Sequence, residues 1–96
     1  AVLKVIEYLK GTRDKCITYK TSSSSRLTAY ADSSFAENRQ DTRSVSGGVI
    51  SLAGGALSWF SRTQHLVTLS TTESEYVGLS GVVREFVFLR GLIEFL

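Results

Sequence analysis

The chain contains no proline, no methionine and a single cysteine among its 96 residues. One cysteine excludes an internal disulfide, and with one histidine there is no Cys/His cluster for zinc. Cys16 and His65 are far apart in sequence, so no thiol–imidazole pair is indicated, and His65 in the polar stretch SRTQHL reads as a surface residue. No G-x-S-x-G nucleophile elbow is present. Gly47-Gly48 and Gly54-Gly55 are not followed by Gly-Lys-Ser/Thr, which excludes a phosphate-binding P-loop. Long apolar runs are lacking too: Arg84 and Arg90 interrupt the richest one, so no membrane span is expected. No signal-peptide h-region opens the chain, and an intracellular location is expected. Without methionine the chain does not start at its own initiation codon, and it is expected to be a piece of something longer.

What is present fits one small domain, 43% hydrophobic, with a marginal core. The net charge of +2 is too small to argue for nucleic acid by itself. Its distribution is uneven. Residues 1–48 hold eight basic side chains against five acidic ones, and residues 49–96 hold three against four. An anionic partner would meet the first half; a solvated surface explains the same charges.

The spacing of Val2, Val5, Ile6 and Leu9 predicts a helix over 1–10 with Gly11 as its stop. CITYK (16–20) predicts a short strand and TSSSS (21–25) a loop. LTAYADSSF (27–35) predicts an alternating strand, and AENRQDTR (36–43) a polar loop. SVSGGVISL (44–52) predicts a second strand whose glycine pair marks a bulge or a close backbone approach. Ala53-Gly54-Gly55 predicts a tight turn and ALSWFS (56–61) a third strand, giving an antiparallel meander. From Ser70 the period becomes helical to Leu96, and both Ser70-x-x-Glu73 and Thr72-x-x-Glu75 fit a capping box.

Two carboxylates stand out. Asp32 interrupts a good strand, where aspartate is depleted. It is either a solvated residue near the strand end or one with a cation partner, since an unpaired buried carboxylate is costly. On the second helix, Glu75 falls at the centre of the stripe formed by Leu79, Val82, Phe86, Leu89 and Ile93, whereas Glu73 falls on the opposite face and is explained as a cap. Glu75 is either a cap itself or a group aimed at the sheet. Two carboxylates converging at one sheet edge suit a hard divalent cation that keeps several waters. A two-metal site needs more of them, and Asp41 in a loop and Glu85 off the stripe do not supply a third.

The order and spacing of YAD, D-x-R-S-x-SG, SW-x-S-x-x-Q and S-x-T-E-x-E-Y resemble the ribonuclease H region of copia-type retrotransposon Pol polyproteins. The resemblance covers essentially the whole chain. It implies an α/β, RNase H-like fold in truncated form: an N-terminal helix, a three- to four-stranded mainly antiparallel sheet and a long C-terminal helix. Residues 1–11 would be a connecting helix and 12–96 a partial domain. The implied activity is hydrolysis of the RNA strand of RNA–DNA hybrids by two Mg2+ or Mn2+ ions. Asp32 matches the first catalytic aspartate and Glu75 the catalytic glutamate, both as metal ligands. Arg43, Ser44, Arg62 and Gln64 would lie near the nucleic acid.

Two departures are mild: Phe35 stands where the family favours tryptophan, and Gly48 where an aromatic is common. A larger one is that the Asp-Asn motif carrying the third catalytic aspartate, and the later fourth ligand, do not occur within these residues. The resemblance therefore implies a fragment that binds metal weakly and is inactive alone. Its implied partners are the hybrid, the reverse transcriptase and the C-terminal half of the ribonuclease H. Its implied location is the cytoplasm or a virus-like particle. Val77, Phe88 and Phe95 on the back of the helix would be left uncovered, and self-association is expected. The alternative is a non-catalytic, retroelement-derived module that binds nucleic acid or itself.

Overall fold

The computed structural model describes residues 1–21, 25–36 and 43–96. It is an α/β arrangement of two helices and one three-stranded antiparallel sheet: α1 (Val2–Gly11), β1 (Thr28–Ser34), β2 (Val45–Leu52), β3 (Gly55–Thr63) and α2 (Thr71–Phe95), with strand order β1-β2-β3. The loop predicted over 36–43 and the serine run at 21–25 fall largely outside the described residues.

α1 forms as its apolar spacing predicts, but Gly11 is its last residue and Thr12 ends it. The Thr12 backbone N–H donates to the Leu9 carbonyl, and its Oγ1 donates to the Tyr8 carbonyl at 2.6 Å, satisfying carbonyls left open at a helix end. No α1 residue is buried. CITYK does not form a strand. The segment is tied to the β2–β3 hairpin instead: the Lys20 N–H donates to the Ala53 carbonyl at 2.8 Å, and the Tyr19 hydroxyl to the Ala56 carbonyl at 2.5 Å. Gly55 makes room for this, because a Cβ there would lie 2.8 Å from the Tyr19 ring.

The hairpin turns on Ala53 and Gly54, with Leu52 facing Gly55. Both turn residues have positive φ, 53° and 83°, the pattern of a type I′ turn whose twist matches the strands. The ladder irregularity lies at Ile50/Ser51, not at the glycine pair. Gly48 marks a close approach: a Cβ on it would stand 2.6 Å from Val82 Cγ2 and 2.7 Å from the Phe60 ring.

α2 starts at the Ser70 cap as predicted, but the reciprocal bond from Glu73 reaches Leu69 instead of the Ser70 N–H. Ser70 Oγ accepts from the Glu73 N–H at 3.0 Å, and Glu73 Oε2 accepts from the Leu69 N–H at 2.8 Å. The helix packs across β1 and β2, burying Ser74, Gly78 and Val82. Beneath it lie the alternate positions of the sheet: Ile50, Gly48 and Ser46, paired with Ala29, Ala31 and Ser33. Ile50 (1% exposed) and Val82 (2%) are the buried apolar residues among those described.

Much of the interface is polar and small. Ser33 and Ser74 share a hydroxyl hydrogen bond at 2.6 Å across the β1–α2 contact. Buried Gln64 donates through Nε2 to Ser46 Oγ at 2.9 Å and to the Ser74 carbonyl at 3.0 Å, fastening the end of β3 to α2. Ser44 Oγ accepts from the Ala36 N–H and shares a bond with Thr68 Oγ1, while its carbonyl accepts from the Gln64 N–H. The radius of gyration, 16.5 Å, exceeds the roughly 12.5 Å of a closed domain this long.

Two stability changes follow. Gly48→Ala forces Val82 or Phe60 aside and is expected to cost about 1–3 kcal/mol in urea unfolding, as overpacking does. Ala53→Asn relieves an alanine held at positive φ and is expected to raise stability by about 1 kcal/mol in the same measurement.

Candidate functional site

Asp32 and Glu75 are each next in sequence to a residue of the hydrogen bond that joins β1 to α2. Ser33 follows Asp32, Ser74 precedes Glu75, and the two serines are the hydrogen-bonded pair. One helical turn on, a Cβ on Gly78 would lie 3.4 Å from the Asp32 carbonyl oxygen and 3.5 Å from Ser33 Cβ. These are ordinary van der Waals distances, so an alanine at 78 would also fit against β1.

Both carboxylates are exposed, and neither has a hydrogen-bond or ion-pair partner among the described residues. The packed stripe of α2 runs through Ser74, Gly78 and Val82, rotated by about 60° from the stripe expected from sequence. Glu75 is thus on the flank of the helix and not at the centre of its buried face. Leu79 and Ile93, placed on the same stripe from sequence, are 48% and 40% exposed.

The opposite flank of α2, through Tyr76, Val77, Ser80, Gly81 and Arg84, faces β3 across a groove. That leaves Glu75 on the side of β1, the sheet edge among the described residues. Strand alternation sets Asp32 with exposed Tyr30 on one face of β1 and half-buried Ala29 and Ser33 on the other, toward α2; Ala31 between them is exposed. Neither carboxylate lies inside the sheet–helix interface: Asp32 is on the exposed side of β1 and Glu75 on the exposed flank of α2.

Among the described residues no group of three or more His, Cys, Asp and Glu side chains gathers in one place. Two exposed carboxylates suit one hydrated divalent cation with oxygen ligands. They do not fit a two-ion centre, which needs further acidic ligands.

The four residues assigned from resemblance to nucleic-acid contact separate into two pairs. Arg43 and Arg62 are exposed, and Arg62 lies over the Phe60 ring at 4.9 Å from its centroid. Ser44 and Gln64 are 1% and 4% exposed, and their hydrogen bonds hold β2, β3 and α2 together. In this arrangement they position other groups. Sequence reasoning missed that role because serine and glutamine carry no apolar signal of burial.

The groove between β3 and α2 was also not legible in the sequence. It has a volume of about 540 Å³ and is bordered by Phe60, Arg62, Gln64, His65, Tyr76 and Arg84. Its residues come from two segments whose proximity depends on how α2 crosses the sheet.

No protein-family profile matches the chain, and no solved structure does. Related sequences are nevertheless clear. The chain is 36% identical, over 93% of its length, to the secreted RxLR effector protein 161 of Plasmopara viticola, of which it spans 63%. It is 33% identical, over 98% of its length, to the retrovirus-related Pol polyprotein from transposon TNT 1-94 of Nicotiana tabacum, of which it spans 7%. It is 32% identical, over 97% of its length, to the corresponding polyprotein from transposon RE2 of Arabidopsis thaliana, of which it spans 6%. The chain thus covers less than two thirds of the effector and a small fraction of each polyprotein. It is homologous to a small part of retrotransposon Pol polyproteins.

Proposed function

We propose that the chain is a retroelement-derived fragment of a ribonuclease H, contributing Asp32 and Glu75 to a metal site for hydrolysis of the RNA strand of RNA–DNA hybrids. The observation that carries this reading is that Asp32 and Glu75 are the sequence neighbours of Ser33 and Ser74, which bond across the β1–α2 contact. A sheet of three antiparallel strands followed by a helix across β1 and β2 agrees with it. So does the similarity to Pol polyproteins along nearly the whole chain.

Mg2+ or Mn2+ would be held by Asp32 and Glu75 with waters completing the shell, and would supply electrostatic stabilisation to a scissile phosphate. The Ser33–Ser74 hydrogen bond and the Gln64 bond to the Ser74 carbonyl tie together the backbone segments that carry the two carboxylates. Two ligands do not hold two ions, so turnover requires acidic groups from another segment or another polypeptide.

A second reading is a non-catalytic module that associates with itself. Phe88 (63% exposed), Val87 (61%) and Phe95 (86%) on the C-terminal half of α2 favour it. Exposed apolar side chains in such number are unusual on a free surface.

Two measurements bear on these readings. The wild-type chain is expected to bind Mn2+ weakly in calorimetry and to leave a labelled RNA–DNA hybrid intact. Asp32→Asn and Glu75→Gln should each remove the metal binding; binding unaltered by both substitutions contradicts the assignment. In sedimentation at micromolar concentration the chain is expected to form dimers or larger species, and Phe88→Glu to shift it toward monomer. A wild-type chain that stays monomeric rules out self-association.

A further inference from the structure

Two apolar surfaces of this chain face nothing. One is α1, which makes no contact with another helix or strand among the described residues and buries none of its own. Val2, Val5, Ile6 and Leu9 nevertheless form one stripe along it, with Lys4 and Glu7 on the far side. A helix of ten residues is marginal in water by itself, because so few hydrogen bonds do not offset its costly nucleus. Such a helix draws its stability from a surface that covers its apolar stripe.

The other is the face of the sheet away from α2. Tyr30, Val49 and Trp59 stand in register across β1, β2 and β3 and make one apolar row. Tyr30 is 64% exposed and Trp59 62%, and Val45 and Leu57 are exposed on the same strands. The whole chain exposes 7924 Å², against roughly 5,400 Å² for a compact monomer of its mass. That surplus is larger than the roughly 1,200–2,000 Å² buried by a stable protein–protein interface. The two surfaces also match in size and charge. α1 is about 15 Å long, and the outer strands of the sheet lie about 10 Å apart. The three strands carry two charged residues: Arg62 lies with Phe60 toward α2, and Asp32 lies on the open face with Tyr30. Lys10 flanks the apolar stripe of α1.

We infer that α1 of one copy docks on the open sheet face of a second copy, its Val2, Ile6 and Leu9 against Tyr30, Val49 and Trp59 and its Lys10 toward Asp32. Each copy supplies one helix and one sheet face, so the contact is reciprocal and closes as a two-fold dimer. The occupant is a second copy because the Lys20 and Tyr19 bonds to the hairpin hold the segment that follows α1, and from there α1 meets no strand of its own chain. The inference deepens the self-association reading, and it uses none of the α2 residues on which that reading rests. Asp32 meets Lys10 in the dimer, and a cation bound to Asp32 competes with association.

Trp59 is the one tryptophan, so its emission reports on the open face directly. Sedimentation and tryptophan emission are measured together on the full chain, in metal-free buffer, across a micromolar concentration series. Dimers are expected to appear as the emission moves to the blue and acrylamide quenching falls. Ile6→Asp, checked for folding by circular dichroism, should weaken association about tenfold, the effect of leaving one large apolar side chain unburied. Because α1 touches no other element, this variant leaves the sheet and α2 in place. Lys10→Glu and Asp32→Lys should each weaken association about threefold, and the double variant should restore it. Phe88→Glu should leave the Trp59 shift in place. Association with unchanged Trp59 emission leaves the α2 contact standing and overturns this one. A blue emission that is the same at every concentration in a monomer places α1 on its own sheet and overturns it too. So does a folded Ile6→Asp chain that associates like wild type, or a Trp59 shift that disappears with Phe88→Glu. A chain that stays monomeric with unchanged emission overturns both readings.

Discussion

The closeness with which α2 lies on β1 and β2 decides everything else in this structure. Contact is made through residues with little or no side chain: Gly78 and Ser74 on the helix, Gly48, Ser46 and Ser33 on the sheet. Small residues bury little apolar area, so hydrophobic transfer alone contributes modestly here. Hydrogen bonds supply the specificity that apolar bulk does not. The Ser33–Ser74 bond and the two bonds donated by Gln64 fix the helix against both the first strand and the end of the third. Buried polar groups of this kind are costly if any one of them loses its partner, which makes the helix position well defined.

That position divides the molecule. On one flank of α2 is exposed Glu75, one residue past the Ser74 that bonds to β1. On the other, arginines and aromatics from β3 and α2 enclose the groove. Ser74 belongs to both sides: it precedes Glu75, and its carbonyl accepts from the amide of Gln64 at the end of β3. A change in helix placement would alter the carboxylate pair and the groove together.

Local chemistry made much of the fold legible in sequence. The strands at LTAYADSSF and SVSGGVISL, the Ala53-Gly54 turn and the Ser70 cap depend on neighbours a few residues apart, and each appears in the structure, with clear alternation of burial in the second strand but not in the first. CITYK has the composition of a strand but finds its hydrogen-bond partners at the hairpin turn, a tertiary choice that propensity does not encode. The Glu75 stripe was misplaced for a related reason. Hydrophobicity located the helix face by Leu79 and Ile93, whereas the packed face is chosen by Ser74 and Gly78, where the backbone comes close. Motif spacing singled out Asp32 and Glu75, and the structure sets them beside one contact. Burial of Ser44 and Gln64 needed three dimensions.

The proposed cation site pairs Asp32 with Glu75 around the edge of β1. A crystal of the chain soaked in Mn2+ tests it most directly by anomalous scattering. The account predicts a peak bonded to oxygens of both carboxylates, beside the Ser33–Ser74 contact. No peak there, or a peak held by one carboxylate while the other points away from it, would contradict the claim.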